Sequence, residues 1–323
     1  MTIHTKLCET LSIEHPVIQG GMAWVATAEL AAAVSNAGGL GIIGAGHMPA
    51  DVLADEIRKA KALTRMPFGV NLMLLAPHID ELVSVVLQER VPVVTTGAGS
   101  PGGYIPEMKE RGMKVLPVCA SVAFAKRIAR VGADAIIVEG TEAGGHIGEL
   151  TTMVLVPQVV DAVDIPVVAA GGIADGRGMA AALMLGAVGV QVGTRFMCAT
   201  ETQIHERTKE RIVRAGDRDT VVTGYSTGHP CRVIKNKLAR EFEKMDAAGM
   251  AEELDKMGTG KLRSAMQEGD VEWGSVMAGQ SAGMVHQIEP AAAIVEDIVS
   301  RAERVLQEVP SRSLANDVPT GSL

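Results

Sequence analysis

The densest chemistry in the chain lies at Glu142-Ala143-Gly144-Gly145-His146-Ile147-Gly148, just after an apolar, β-prone run that ends at Glu139. An imidazole titrates near neutral pH and can give or take a proton. Glycines around it let a flat ligand approach the backbone closely. Two further glycine clusters end the next two β-prone runs: Ala170-Gly171-Gly172-Ile173-Ala174-Asp175-Gly176 and Gln191-Val192-Gly193-Thr194-Arg195. Backbone N–H groups at such turns can hold a phosphate without a lysine. Together the motifs point to a phosphate-bearing cofactor beside a proton donor, with His146 catalytic or in contact with substrate. The plain alternatives are a loop histidine and glycines that only make turns. Three motifs at successive strand ends favour the chemical reading.

Eight apolar segments must position these groups: 17–22, 40–44, 68–75, 91–96, 114–119, 135–139, 166–170 and 189–194. The stretches between them read as amphipathic helices, such as 28–38, which ends in Gly38 as helices often do. Eight βα units in succession predict an α/β fold, a (β/α)8 TIM barrel, with an open doubly wound sheet as the alternative. Residues 1–199 form the barrel in this reading. The charged segment 200–270 breaks the rhythm and reads as a smaller, mostly helical insertion after strand eight, covering one mouth. Residues 271–309 return to the barrel and end in a closing helix, and 310–323 read as a flexible polar tail.

Barrel active sites sit at the C-terminal ends of the strands, with phosphate commonly held after strands seven and eight. That places Gly171, Gly172, Gly193 and Thr194 at the phosphate. The other strand-end groups are Gln19, Asn71, Thr95, Thr96, Glu139 and Gln191, neutral hydrogen-bonding groups with one acid, which suit the polar edge of a flat heterocycle. Met277 lies in Ser275-Val276-Met277-Ala278-Gly279-Gln280, where the chain returns to the barrel, and a thioether packs well on a ring face.

Other chemistries find little support. Gly39-Leu40-Gly41-Ile42-Ile43-Gly44 is a literal GxGxxG, but it follows a helix and enters a strand, the reverse of a dinucleotide fingerprint. It reads as a helix cap and a tightly packed strand. No lysine ends a predicted strand, no His/carboxylate cluster has metal-ligand spacing, and no GxSxG occurs. A net charge of −8 with 2% aromatic residues argues against nucleic-acid binding. The four cysteines are widely spaced, without a CxxC pair, which fits reduced thiols in a cytoplasmic protein. Neither a signal peptide nor a membrane span is expected.

Taken together, Gln19-Gly20-Gly21-Met22-Ala23, Asn71, the 139–148 motif and the two glycine strand ends resemble the nitronate monooxygenase superfamily of FMN barrels. Within it, Met22-Ala23-Trp24-Val25-Ala26, Thr95-Thr96-Gly97-Ala98-Gly99 and Gly274-Ser275-Val276-Met277-Ala278-Gly279-Gln280 resemble the bacterial enoyl-acyl carrier protein reductase II branch. The resemblance spans nearly the whole chain except the tail. It implies non-covalent FMN, NADH or NADPH as electron donor, and reduction of a trans-2-enoyl thioester. It carries flavin contacts to Gly21, Met22, Ala23, Asn71, Glu139, Gly144, Gly172, Gln191, Gly193 and Thr194, to which the strand-end and thioether readings above add Gly171 and Met277. His146 would supply the α-carbon proton, and Gly97, His146 and Ser275 would meet substrate. A monovalent cation often supports members of the branch, and a homodimer is compatible with this reading.

Two other functions compete: a nitronate monooxygenase, in which His146 deprotonates a nitroalkane, and a flavin-binding protein without turnover. The partner implied by the reductase reading is an acyl carrier protein bearing the enoyl group. Residues 205–240 carry more than twice as many basic as acidic side chains on an otherwise acidic chain. Such a basic lid would steer an acidic carrier protein. Arg232, Lys235, Lys237 and Arg240 are the expected docking cations.

Overall fold

The computed structural model describes residues 2–46 and 48–312. At its centre lie eight parallel strands, here numbered one to eight: Val17–Gln19, Gly41–Gly44, Phe68–Met73, Val93–Gly97, Lys114–Cys119, Ile136–Glu139, Val167–Ala170 and Gly189–Val192. Strand one pairs with strand eight, and the pairing runs on in reverse chain order to strand two. A parallel bridge between Ile18 and Leu40 joins the two edges. The barrel is therefore nearly closed, and the open sheet is excluded. All eight expected segments form barrel strands, most a little shorter than the apolar runs that announced them.

The seam between strands one and two explains Gln19. Its side chain is fully buried. Its Nε2 donates to the Ile42 carbonyl at 3.2 Å, and its Oε1 accepts from the Ile42 N–H at 3.1 Å. The amide thus acts as a substitute backbone unit where the two short strands barely reach each other. Gln19 belongs to barrel closure, which corrects its assignment to a ligand-facing edge.

Strand alternation sorts the core. Inward residues Ile18, Ile42, Val93, Leu116, Ile137 and Val168 fill the barrel, and Leu7 and Leu11 of helix Lys6–Leu11 join them. Each such side chain contributes roughly 1.5–3 kcal/mol on burial. Outward residues such as Val138, Val190 and Val192 pack under the surrounding helices. The GxGxxG stretch serves this packing. A Cβ on Gly41 would stand 1.9 Å from the Ala31 carbonyl oxygen of helix Ala28–Asn36, so strand two needs glycine there.

The insertion is less helical than expected. Helices Glu206–Val213, Lys237–Ala247 and Ala251–Gly258 flank an antiparallel hairpin of Thr220–Thr223 and Cys231–Ile234. The hairpin takes Gly145–His146 as a third strand, with Cys231 opposite His146 and Arg232 opposite Gly145. The closing helix, Ala291–Arg312, packs on helix Gly176–Met184, where a Cβ on Gly176 would lie 2.3 Å from the Ala302 nitrogen. It runs three residues into the expected tail; 313–323 lie outside the described residues.

Candidate active site

The period of two that buries Ile137 and Val168 brings the next inward residues to the barrel's C-terminal mouth. They are Asn71 on strand three, Glu139 on strand six, Ala170 on strand seven and Gln191 on strand eight. Register confirms their level: Glu139 lies opposite Ala170, and Ala170 opposite Gln191. They line a cavity of about 500 Å³, within the range of cofactor and substrate sites. The same cavity is lined by Gly21, Met22, Ala23, Gly97, Gly144, His146, Gly171, Gly172, Gly193, Thr194 and Met277. Of the expected site residues, Gln19, Thr95, Thr96 and Ser275 stay outside the lining, and Ser275 departs from an expected substrate contact. It is buried, with its N–H donating to the Lys261 carbonyl at 2.9 Å. Ser281 lines the cavity in its place.

The glycines differ in what they accomplish. Gly21 makes room for the Asn71 side chain: a Cβ there would stand 2.2 Å from Asn71 Cβ. Asn71 Nδ2 in turn donates to Thr95 Oγ1 at 2.9 Å, which fixes its amide at the cavity wall. Gly144 lets the return segment pack on the His146 loop, since a Cβ would meet the Ala278 carbonyl carbon at 2.6 Å. Gly172 has φ +76°, reachable at little strain only by glycine. A Cβ on Gly193, by contrast, would meet only Met22 Sδ at 3.6 Å. Among the described residues no packing demands glycine there. The space a side chain would fill belongs to the cavity, and Thr194 beside it heads a short helix whose first N–H groups lack intrahelical acceptors. Among the described residues no Lys or Arg lines the cavity, so a phosphate would rest on backbone N–H groups at these two strand ends. Asp175 of the same motif has another task. It caps helix Gly176–Met184 and pairs with Arg177 and Arg301, which hold its carboxyl below the usual range.

The His146 loop is held from both sides. Glu142 accepts from the Thr152 N–H at 2.9 Å and from its hydroxyl at 2.9 Å. Its backbone carbonyl accepts from the Gln280 N–H at 2.9 Å. From the insertion, Arg232 donates to the Thr141 carbonyl through Nε at 3.1 Å and through NH2 at 3.0 Å. The imidazole stays open to the cavity, yet the surrounding protein lowers its pKa by desolvation, and His229 lowers it further. Neither Glu142 nor Arg232 was singled out at this site by sequence reasoning. Each acts on residues about ten and ninety positions away, which no local pattern reveals.

Glu139 meets the cavity from below. Among the described residues nothing hydrogen-bonds its carboxylate, and burial raises its pKa to about 7. A carboxyl raised in this way can donate from its acid form as well as accept. Three of the four cysteines are poor nucleophiles: burial pushes Cys119, Cys198 and Cys231 up to about 12. Leu262 and Met266 of the insertion complete the apolar wall.

The expected docking cations separate. Arg232 is 8% exposed and faces inward, so it is no surface charge. Lys209 is also buried, its Nζ on the Ala199 carbonyl at 2.8 Å. Lys237 is exposed but paired with Glu272. Lys235 and Arg240 remain exposed.

A family model described as nitronate monooxygenase matches residues 4–83 and 78–301. Over 95% of its length the chain is 37% identical to (3aS,4S,5R,7aS)-5-hydroxy-7a-methyl-1-oxo-octahydro-1H-indene-4-carboxyl-CoA dehydrogenase of Mycobacterium tuberculosis, covering 98% of that protein. It is 35% identical to a probable nitronate monooxygenase of Staphylococcus saprophyticus, over 95% of this chain and 99% of that one. FabK from Thermotoga maritima has a similar solved structure, with TM-score 0.94 and 51% identity, over 96% of this chain and 100% of that one. These relatives are oxidoreductases, and the chain belongs to the nitronate monooxygenase family.

Proposed function

We propose that this protein is an FMN-dependent reductase of trans-2-enoyl thioesters, with enoyl-acyl carrier protein as substrate and NADH or NADPH as donor. The observation that carries the reading is the likeness to FabK, the enoyl-acyl carrier protein reductase of this family, along nearly the whole chain. The indene-carboxyl-CoA dehydrogenase name adds a second thioester substrate among the relatives.

The cavity fits FMN. Gly172, Gly193 and Thr194 offer backbone N–H groups and the unfilled space at Gly193 to a phosphate. Asn71, Glu139 and Gln191 offer hydrogen bonds to hydroxyls or a ring edge, and Met22 and Met277 offer apolar contact. The chemistry that bound FMN supplies is hydride transfer, from reduced nicotinamide to the β-carbon of the enoyl thioester. His146 faces that cavity and delivers a proton to the α-carbon from a ring nitrogen, directly or through a water. Leu262 and Met266 help exclude bulk water.

One observation favours a second reading. Burial and the neighbouring His229 lower the His146 pKa and so favour the neutral ring, the form that suits a base removing a proton from a nitroalkane. In the reductase reading the protonated ring gives the proton, or the neutral ring hydrogen-bonds the water that does. Anaerobic mixing separates the two. Rapid bleaching of the flavin by NADH or NADPH supports the reductase, and bleaching only by an alkyl nitronate supports the monooxygenase. Bleaching by neither leaves a binding protein.

A further inference from the structure

We propose that Arg232 is the positioning residue for the His146 loop, so that the insertion rather than the barrel sets where the imidazole stands over the cavity. The functional half of this rests on His146 handling the proton, as read above.

Arg232 is a buried charge without an acid. Among the described residues no carboxylate is within ion-pair distance of it. Its N–H groups go to the Thr141 carbonyl and, at 3.3 Å, to Thr220 Oγ1. Desolvation lowers its pKa, with only the more distant Tyr225 and Glu142 opposing. Burying an unpaired guanidinium is unfavourable, and an apolar side chain of similar size would fill the volume without that cost. What an apolar side chain lacks is the planar fork that places two N–H groups on one carbonyl.

The carbonyl it holds is well chosen. Thr141 opens the loop, and its N–H already donates to the Leu150 carbonyl at 2.8 Å. With Arg232 on its oxygen, the Thr141 backbone is held on both sides of its Cα. The backbone of the same strand pairs with the loop's far side: Arg232 opposite Gly145, Cys231 opposite His146, and the Ile147 N–H on the Pro230 carbonyl at 3.1 Å. One strand thus grips the loop before and after the histidine. That strand is anchored in turn, because the Ile234 N–H donates to the Val276 carbonyl at 2.8 Å, next to Met277 at the cavity. The two-residue strand Gly145–His146 is too short to hold itself.

The test compares full-length wild type with Arg232→Lys and Arg232→Met, purified with the flavin they carry. Amide hydrogen exchange should quicken about tenfold or more over 141–147 in Arg232→Met, while strand seven, 167–170, keeps its protection. Arg232→Lys, which keeps charge but loses the fork, should fall between. With crotonyl thioester, kcat should drop by up to about 10²-fold, while nicotinamide-driven flavin reduction stays unchanged. A role limited to global stability would affect both strand seven and the nicotinamide step. Wild-type exchange over 141–147 in both variants overturns the proposal, and so does a loosened loop with undiminished turnover. If Arg232→Met does not fold, Arg232→Lys decides by the same criteria. If wild type reduces no enoyl thioester, the reductase reading fails, and the exchange comparison still decides whether Arg232 holds the loop.

Discussion

The His229 ring stands 6.4 Å from the His146 ring, centroid to centroid and nearly perpendicular to it. His229 comes from the insertion's hairpin, and its charge disfavours a proton on His146. Replacing it with asparagine removes that repulsion, so the His146 pKa should rise while burial still keeps it below the ordinary value. The limb of the pH–rate profile assigned to His146 should therefore move to higher pH in His229→Asn, whether the ring acts as acid or base. A limb that stays in place would separate the two histidines functionally.

Glu139 predicts a pH-dependent stability. Its folded pKa, about 7, lies above the ordinary value of 4.5. Between those values the unfolded chain binds fewer protons than the folded one, so stability falls as pH rises through the window and levels off above it. Glu139→Gln removes this loss. The flavin-free variant should be more stable than flavin-free wild type by on the order of 2 kcal/mol at pH 8, with little difference near pH 4.5. Urea unfolding at both pH values checks it; equal gains at both would show that ionisation is not the cause.

The space at Gly193 predicts how the cofactor can be lost without losing the fold. Gly193→Glu puts bulk and negative charge where a phosphate is expected, while the nearest protein atom to the new Cβ is Met22 Sδ at 3.6 Å. The variant should purify colourless, with wild-type circular dichroism, and should not take up added FMN. A yellow Gly193→Glu protein would move the phosphate elsewhere.

How much of this was legible in the sequence depends on the range of the interaction. The strands announced themselves through apolar runs, and glycine at their ends marked the mouth, because both signals are local. Gln19 was misplaced because a strand-end glutamine looks the same whether it meets a ligand or bridges a seam to Ile42. Ser275 was carried into the site by its neighbours in a matching motif, though the chain turns it toward Lys261. Arg232 counted as one more charge in a basic run, since burial of a single arginine in a hairpin leaves no pattern. Its partner, Thr141, lies 91 residues away.

The exposed cations of the insertion predict selective recognition of a carrier protein. Lys235→Glu with Arg240→Glu should raise KM for an enoyl group on an acidic carrier protein and leave KM for the enoyl-CoA unchanged. The carrier-protein KM should also rise with salt in wild type. Equal effects on both substrates would remove this face as a docking surface.

The most direct test of the central claim is an anaerobic two-step mixing experiment on wild type and His146→Ala. NADH or NADPH should bleach the flavin of both proteins at similar rates. Crotonyl thioester should then restore the yellow colour rapidly in wild type and about 10²–10⁴-fold more slowly in His146→Ala. A wild-type flavin that crotonyl thioester cannot reoxidise, or a His146→Ala protein that reoxidises at the wild-type rate, would contradict it.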